Sequence, residues 1–170
     1  MMNRFIFLAL FLFSLYHLSA QEDTISKRLN HSLGVSAGST TGLGFSYRFL
    51  PNKWGVQITG VPVFEQYRNV FSAGLTALYR LREHEKMDVF LYLGNHILFE
   101  KPKNLYPGSQ GTWEPSTYSQ YNAGLGAGVN INIADYLDLS LQLGYGVYNI
   151  LQSNYINSNI AGGIGLYYRF

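Results

Sequence analysis

The chain has 170 residues, with 12 lysines and arginines against 10 aspartates and glutamates, and it contains no cysteine. A balance so near neutrality offers no basic footprint for nucleic acid, and without thiols no metal-ligand spacing emerges from the scattered His31, His84 and His96. Charged residues are 13% of the sequence, about half the share of an ordinary soluble domain, while aromatic residues reach 16%; so few charges are hard to reconcile with an outside that faces only water.

Residues 1–20 read as a signal peptide: Arg4, an apolar stretch from Phe5 to about Leu15, then Leu18-Ser19-Ala20 before polar Gln21-Glu22-Asp23. That stretch is shorter than the roughly 20 apolar residues of a membrane helix, and no later window is long enough either. Residues 21–30 form a short N-terminal segment. From residue 31 to 170 the period is two, which sends successive strand side chains to opposite faces.

A short first strand lies near Leu33, Val35 and Ala37, followed by the tight connection Ser39-Thr40-Thr41-Gly42. The second strand sets Leu43, Phe45, Tyr47 and Phe49 against Gly44, Ser46 and Arg48, and Pro51-Asn52-Lys53 turns the chain. Trp54, Val56 and Ile58 begin a third, in whose upper half Pro62, unable to donate a ladder hydrogen bond, suggests a bulge. In the fourth, Phe71, Ala73, Leu75, Ala77, Tyr79 and Leu81 oppose Ser72, Gly74, Thr76, Leu78 and Arg80. The fifth carries Val89, Leu91, Leu93, Ile97 and Phe99, with Asn95 out of place on the apolar parity. In the sixth, Tyr121 to Ile133 alternate with Asn122, Gly124, Gly126, Gly128, Asn130 and Asn132; in the seventh, Leu137 to Val147 alternate with Asp138, Ser140, Gln142, Gly144 and Gly146. The eighth presents Ile160, Gly162, Ile164, Leu166, Tyr168 and Phe170 on one face.

The orientation of the apolar face separates two classes of barrel. A soluble barrel would turn it inward and clothe the other parity in lysine and glutamate, but here the other parity is Gly, Asn, Ser and Gln with a few arginines. That is lumen material, so the apolar parity faces lipid and the sheet must close to satisfy its backbone. The fold expected is all-β, an eight-stranded antiparallel transmembrane barrel of up-and-down meander order. Short connections at 51–53, 82–86 and 134–135 alternate with longer ones at 65–69, 100–120 and 150–157, as periplasmic turns alternate with external loops. Both strand termini then fall on the periplasmic side.

Tyr47-Arg48-Phe49, Tyr79-Arg80-Leu81 and Tyr168-Arg169-Phe170 repeat one pattern where strands leave the bilayer, with the rings at headgroup level and the arginines turned into the lumen. On these residues and the alternation, residues 31–170 resemble the small eight-stranded outer-membrane barrels of the OmpA/OmpX-like family. The resemblance implies a monomer in a bacterial outer membrane, in contact with outer-membrane lipids and lipopolysaccharide. It also implies that Phe170, Tyr168, Leu166 and Ile164 are read by the barrel-assembly machinery. No cofactor is implied.

Arg48, Arg80 and Arg169 need partners in the lumen, and Asp138 is the clearest inward acid; an arginine network with Asp138 near the periplasmic end is expected. Inward glycines on the last three strands either form a recess or make room for Phe90, Tyr92, Arg48 and Arg80 from the opposite wall, and the narrowness of eight strands favours the second. Lipid A deacylases and palmitoyltransferases exist among such barrels, but His96 is followed by Ile97 and Leu98 rather than by a His-x-Ser pairing, so the expectation is no catalysis and a lumen histidine satisfied by hydrogen bonds. Tyr106, Trp113 and Tyr118 of the longest loop could bind an extracellular ligand or rest on headgroups. The function expected is structural or surface-interacting through the loops, with a narrow pore, and behind it a lipid-modifying enzyme, as alternatives.

Overall fold

The computed structural model describes residues 29–64, 68–102, 118–151 and 156–170. Residues 1–20, expected to be a signal peptide, and Tyr106 and Trp113 lie outside them. Eight strands, β1 (His31–Gly38), β2 (Gly42–Phe49), β3 (Trp54–Phe64), β4 (Arg68–Glu83), β5 (Met87–Pro102), β6 (Tyr118–Ala134), β7 (Leu137–Tyr148) and β8 (Asn157–Arg169), follow one another around a closed barrel. Each pairs antiparallel with its sequence neighbour, and β1 closes the ring on β8, with Ser32 opposite Arg169 and Gly38 opposite Gly163. Turns at 50–53, 84–86 and 135–136 mark one end, the turn end, where β1 also starts and β8 finishes. The other is the loop end.

The alternation faces outward as its chemistry demands. Leu143 and Trp54 are each 68% exposed and Leu125 64%, whereas Arg48, Gln57, Asn130, Asp138 and Ser140 are buried in the lumen. From Trp54 to Phe64 the outward face of β3 rises about 25 Å, taking roughly 3.3 Å per residue and a tilt of about 40°, which matches the height of an apolar membrane band. Rings gather at its turn end: Trp54 lies 4.7 Å from Tyr79, and Tyr136 lies 6.0 Å from Tyr168. His31 stacks on Phe49 at 4.8 Å and on Phe170 at 5.8 Å, and its Nδ1 is 2.6 Å from the Tyr47 hydroxyl.

Four local expectations change. The β3–β4 register runs unbroken through Pro62, opposite Phe71, so there is no bulge; the shifts fall instead between Arg80 and Arg82 and between Asn132 and Ala134, beside turns. Asn95 stays on the outward parity because Tyr121 of β6 donates its hydroxyl to the amide oxygen at 2.7 Å. Arg68, Asn69 and Tyr118, assigned to loops from sequence, belong to strands, since β4, β5 and β6 continue beyond the apolar band.

The fourth concerns the glycines. Phe90 and Tyr92 are buried, and a Cβ on Gly128 would lie 2.4 Å from Phe90 Cζ, one on Gly144 2.6 Å from the Tyr92 hydroxyl. Small residues thus make room for rings, as packing in a narrow barrel requires. Yet β5 is the neighbour of β6, with Phe90 directly opposite Gly128 and Tyr92 opposite Gly126; these rings lie down on the adjacent strand and do not cross from the far wall. Gly128→Val should therefore lower unfolding free energy in lipid vesicles by about 1 to 3 kcal/mol, with Phe90→Leu in the same chain restoring part of it; urea titrations of the three variants check this.

Candidate functional site

The second strand points Arg48 inward at a level where the lumen is lined by Gln57, Asn130 and Ser140. Its Nε and Nη2 donate to Gln57 Oε1 at 3.2 and 2.8 Å, Nη1 donates to Asn130 Oδ1 at 2.8 Å, and Nη2 reaches Ser140 Oγ at 3.2 Å. The guanidinium lies 4.1 Å from the Tyr167 ring centroid and 5.4 Å from that of Phe90. Neutral amide oxygens and two π faces therefore solvate the buried charge, an environment suited to a planar, weakly hydrated cation. Tyr167 in turn places its hydroxyl 3.1 Å from Ser46 Oγ, which lies 3.0 Å from Thr59 Oγ1.

The other predicted lumen charges sit nearer the turn end. Arg169 Nε is 3.1 Å from Asp138 Oδ2, and its Nη2 donates to Asp135 O at 3.2 Å. Arg80 Nη1 is 3.2 Å from Glu83 Oε2, and Nη2 donates to Leu50 O at 3.4 Å. Arg48 is thus held apart by neutral partners, with the acids close to the ends of the strands. At the chain's end, the Phe170 N–H donates to His31 O at 2.9 Å, and Tyr168, Leu166 and Ile164 all face outward. Tyr118 is an exposed strand residue whose hydroxyl donates to Asn149 Oδ1 at 3.0 Å.

Sequence reasoning missed what the first outer connection does. The 39–41 turn folds inward, burying Thr40 and Thr41 almost completely. Gly42 and Gly44, at φ of 94° and 126°, supply the left-handed backbone that lets β2 bend into the opening. Once inside, the turn and the start of β2 are tied to five strands. Ser39 O accepts from Asn122 Nδ2 and His96 Nδ1, each at 3.3 Å; Ser39 N donates to Gly162 O at 3.1 Å; Thr41 Oγ1 donates to Gln142 Oε1 at 3.3 Å. Thr40 hydrogen-bonds the Tyr92 hydroxyl, and Leu43 N donates to Ser72 Oγ at 3.0 Å. A Cβ on Gly94 would sit 2.6 Å from Thr40 O, and one on Gly124 or Gly146 2.7 Å from Thr40 Cγ2. These glycines make room for the turn, so it fills the barrel's bore from β4 around to β8.

His96 completes a Ser–His pair invisible to a search for close spacing. Its Nε2 is 3.0 Å from Ser72 Oγ, a residue on the adjacent strand, while Nδ1 faces the Ser39 carbonyl. A carbonyl can only accept, so Nδ1 carries the proton and Nε2 accepts from Ser72. The pair has the bonding order of a nucleophile and its base, but Ser72 is 0% exposed. Among the described residues no group of three or more His, Cys, Asp or Glu gathers as a metal site.

Arg48→Ala would strand Gln57 and Asn130 oxygens in the lumen; a loss of about 2 to 5 kcal/mol in unfolding free energy is expected. Arg169→Ala, at a wetter position, should lose less. Equilibrium unfolding of both variants in the same vesicles compares them.

No family model matches the chain, and no curated protein does. Solved structures do. The N-terminal β-barrel domain of Pseudomonas aeruginosa OprF is 11% identical, with 82% of this chain and 95% of that one covered at a TM-score of 0.50. Neisserial surface protein A (14% identical, 82% and 94% covered, TM-score 0.46) and the attachment invasion locus protein Ail of Yersinia pestis (16%, 82% and 96%, 0.43) are also similar. At these identities the likeness speaks to fold alone: the chain has the closed, eight-stranded antiparallel architecture of the small outer-membrane barrels.

Proposed function

We propose that this chain is a bacterial outer-membrane barrel whose lumen is sealed and whose role, structural or surface-interacting, is carried by its loop end. The observation behind this reading is the pairing of an outward apolar band with a bore filled by the 39–41 turn above Arg48. In this reading the turn end is periplasmic, its rings lie at headgroup level, and residues 1–20 are a removed signal peptide. The C-terminal residues Ile164, Leu166, Tyr168 and Phe170 serve as the insertion signal, and β4, β5 and β6, which run to Arg68, Pro102 and Tyr118, lift the surface that meets an external ligand.

The alternatives have less support. A pore needs a continuous aqueous path, and the turn occupies it. A lipid-modifying enzyme needs a reachable nucleophile, and Ser72 is covered.

Purified barrel in planar bilayers should give no unitary current steps; regular steps at modest voltage would overturn the sealed-lumen reading. Placement in lipid has its own test. Leu93→Arg puts a charge on the outward face near mid-band and should cost about 2 to 4 kcal/mol in vesicles. A change within about 0.5 kcal/mol, as for a solvated surface site, would remove the membrane from the account.

A further inference from the structure

The β1–β2 hairpin stops below its neighbours. Pairing of β2 with β3 ends at Phe45 opposite Gly60, and that of β1 with β8 at Gly38 opposite Gly163, yet β3 continues to Phe64 and β8 begins at Asn157. The outward faces of both strands remain apolar above that level, at Phe64 and Ile160, so over the last 10 Å or so of the band, at roughly 3.3 Å per residue, the wall has a gap among the described residues.

The β8 edge of the gap is finished in a way that water would not require. Gly162 N–H donates to Ser39 Oγ at 3.3 Å, and Gly162 O accepts from Ser39 N. Ile160 N–H donates to Asn159 Oδ1 at 2.8 Å, and Ile160 O accepts from the Tyr148 hydroxyl at 3.2 Å. Across the gap, Pro62 of β3 has no N–H to leave exposed. Hydrocarbon demands that backbone groups be satisfied within the protein; an edge in water is satisfied by solvent.

Behind the gap the inward parity of β3 and β4, polar below, turns apolar, in a patch bounded by Glu100 opposite Val70 and Gln120 opposite Leu98. Val61 and Val63 of β3, Val70 of β4 and Leu98 of β5 are half-buried and form one patch: Val63 pairs with Val70, and Ser72 separates Val61 from Leu98 in the row below. Val61 borders the gap itself, since a Cβ on Gly44 would lie 2.5 Å from its Cβ. The inward turn is the floor of this cup.

We propose that one acyl chain of an outer-leaflet lipid enters the barrel sideways through this gap and lies in the cup formed by Val61, Val63, Val70 and Leu98. The occupant follows from continuity: the cup opens at the height of the outward apolar face, beside a β8 edge whose Gly162 and Ile160 groups are capped, onto four aliphatic side chains. The inference rests on the membrane placement above.

The test uses single tryptophans in a Trp54→Phe, Trp113→Phe background, with heat-modifiable gel migration to verify folding. Leu98→Trp reports the cup, and Phe99→Trp, next along β5, reports the outward face; Val70→Trp replaces the first if it fails to fold. The probe is phosphatidylcholine vesicles brominated near the headgroup end of one chain, with iodide as the aqueous quencher. Bromine quenching of the inward tryptophan within about twofold of the outward one, with iodide protection, is expected. Quenching by iodide instead would mean a water-filled cup, and quenching by neither would mean that the chain covers the cup itself; each overturns the proposal. Failure of bromine to quench the outward tryptophan would overturn the membrane placement and this inference with it.

Discussion

The constraint on which this structure depends is that every backbone N–H and C=O at membrane depth must find a partner in the protein. A sheet meets it by closing, and closure fixes much else. With β1 paired to β8 there is one inner and one outer face, so the two-residue period becomes a division between lumen and lipid all the way around. Where the ladder is interrupted, side chains take over. Beside the β1–β2 turn, Ser39, Asn159 and Tyr148 satisfy the Gly162 and Ile160 groups that a longer hairpin would have paired, and Pro62 has no donor to satisfy.

Closure by eight strands leaves an interior about wide enough for side chains, and the lumen shows two ways of filling it. Near the turn end, rings from β5 and β8 lie over glycines, and Arg48 is sandwiched between Tyr167 and Phe90 with amide oxygens around its rim. Nearer the loop end the filler is main chain. A turn carries its own polar groups into the bore, and each needs a partner, which explains why Asn122, Gln142, His96, Tyr148 and Ser72 converge there. The small residues at Gly74, Gly94, Gly124 and Gly146 and the polar residues beside them are two halves of one fit.

The strands and their faces were legible because alternation is a local property: Leu137 to Val147 declares its outward side without reference to any other strand. What required register was not. Pro62 looked like a bulge until β2 was seen to stop at Phe45 opposite Gly60, which leaves the proline nitrogen without a partner strand. Asn95 looked like a flaw until the pairing of Ile97 with Tyr121 brought a hydroxyl within reach. Ser72 and His96 meet because Gly74 pairs with His96, a relation no motif spacing contains. The aromatic–arginine repeats predicted three inward arginines, but their surroundings differ: Asp138 lies beside Arg169, Glu83 beside Arg80, and neutral groups around Arg48. Side-chain composition marks the lumen; register assigns its partners.

The inward turn also links sealing and side access as consequences of one length. A first hairpin longer by a few residues per strand would have paired β3 and β8 up to the rim, and its turn would have lain outside the bore. Because β1 and β2 are only eight residues each, the turn arrives at a level where lipid surrounds the wall, and folding inward is how its backbone avoids hydrocarbon. The same movement that fills the axis leaves the wall low between β3 and β8. Lengthening the hairpin would remove both features together, so a barrel closed along its axis and open at its side is a single solution to one short connection.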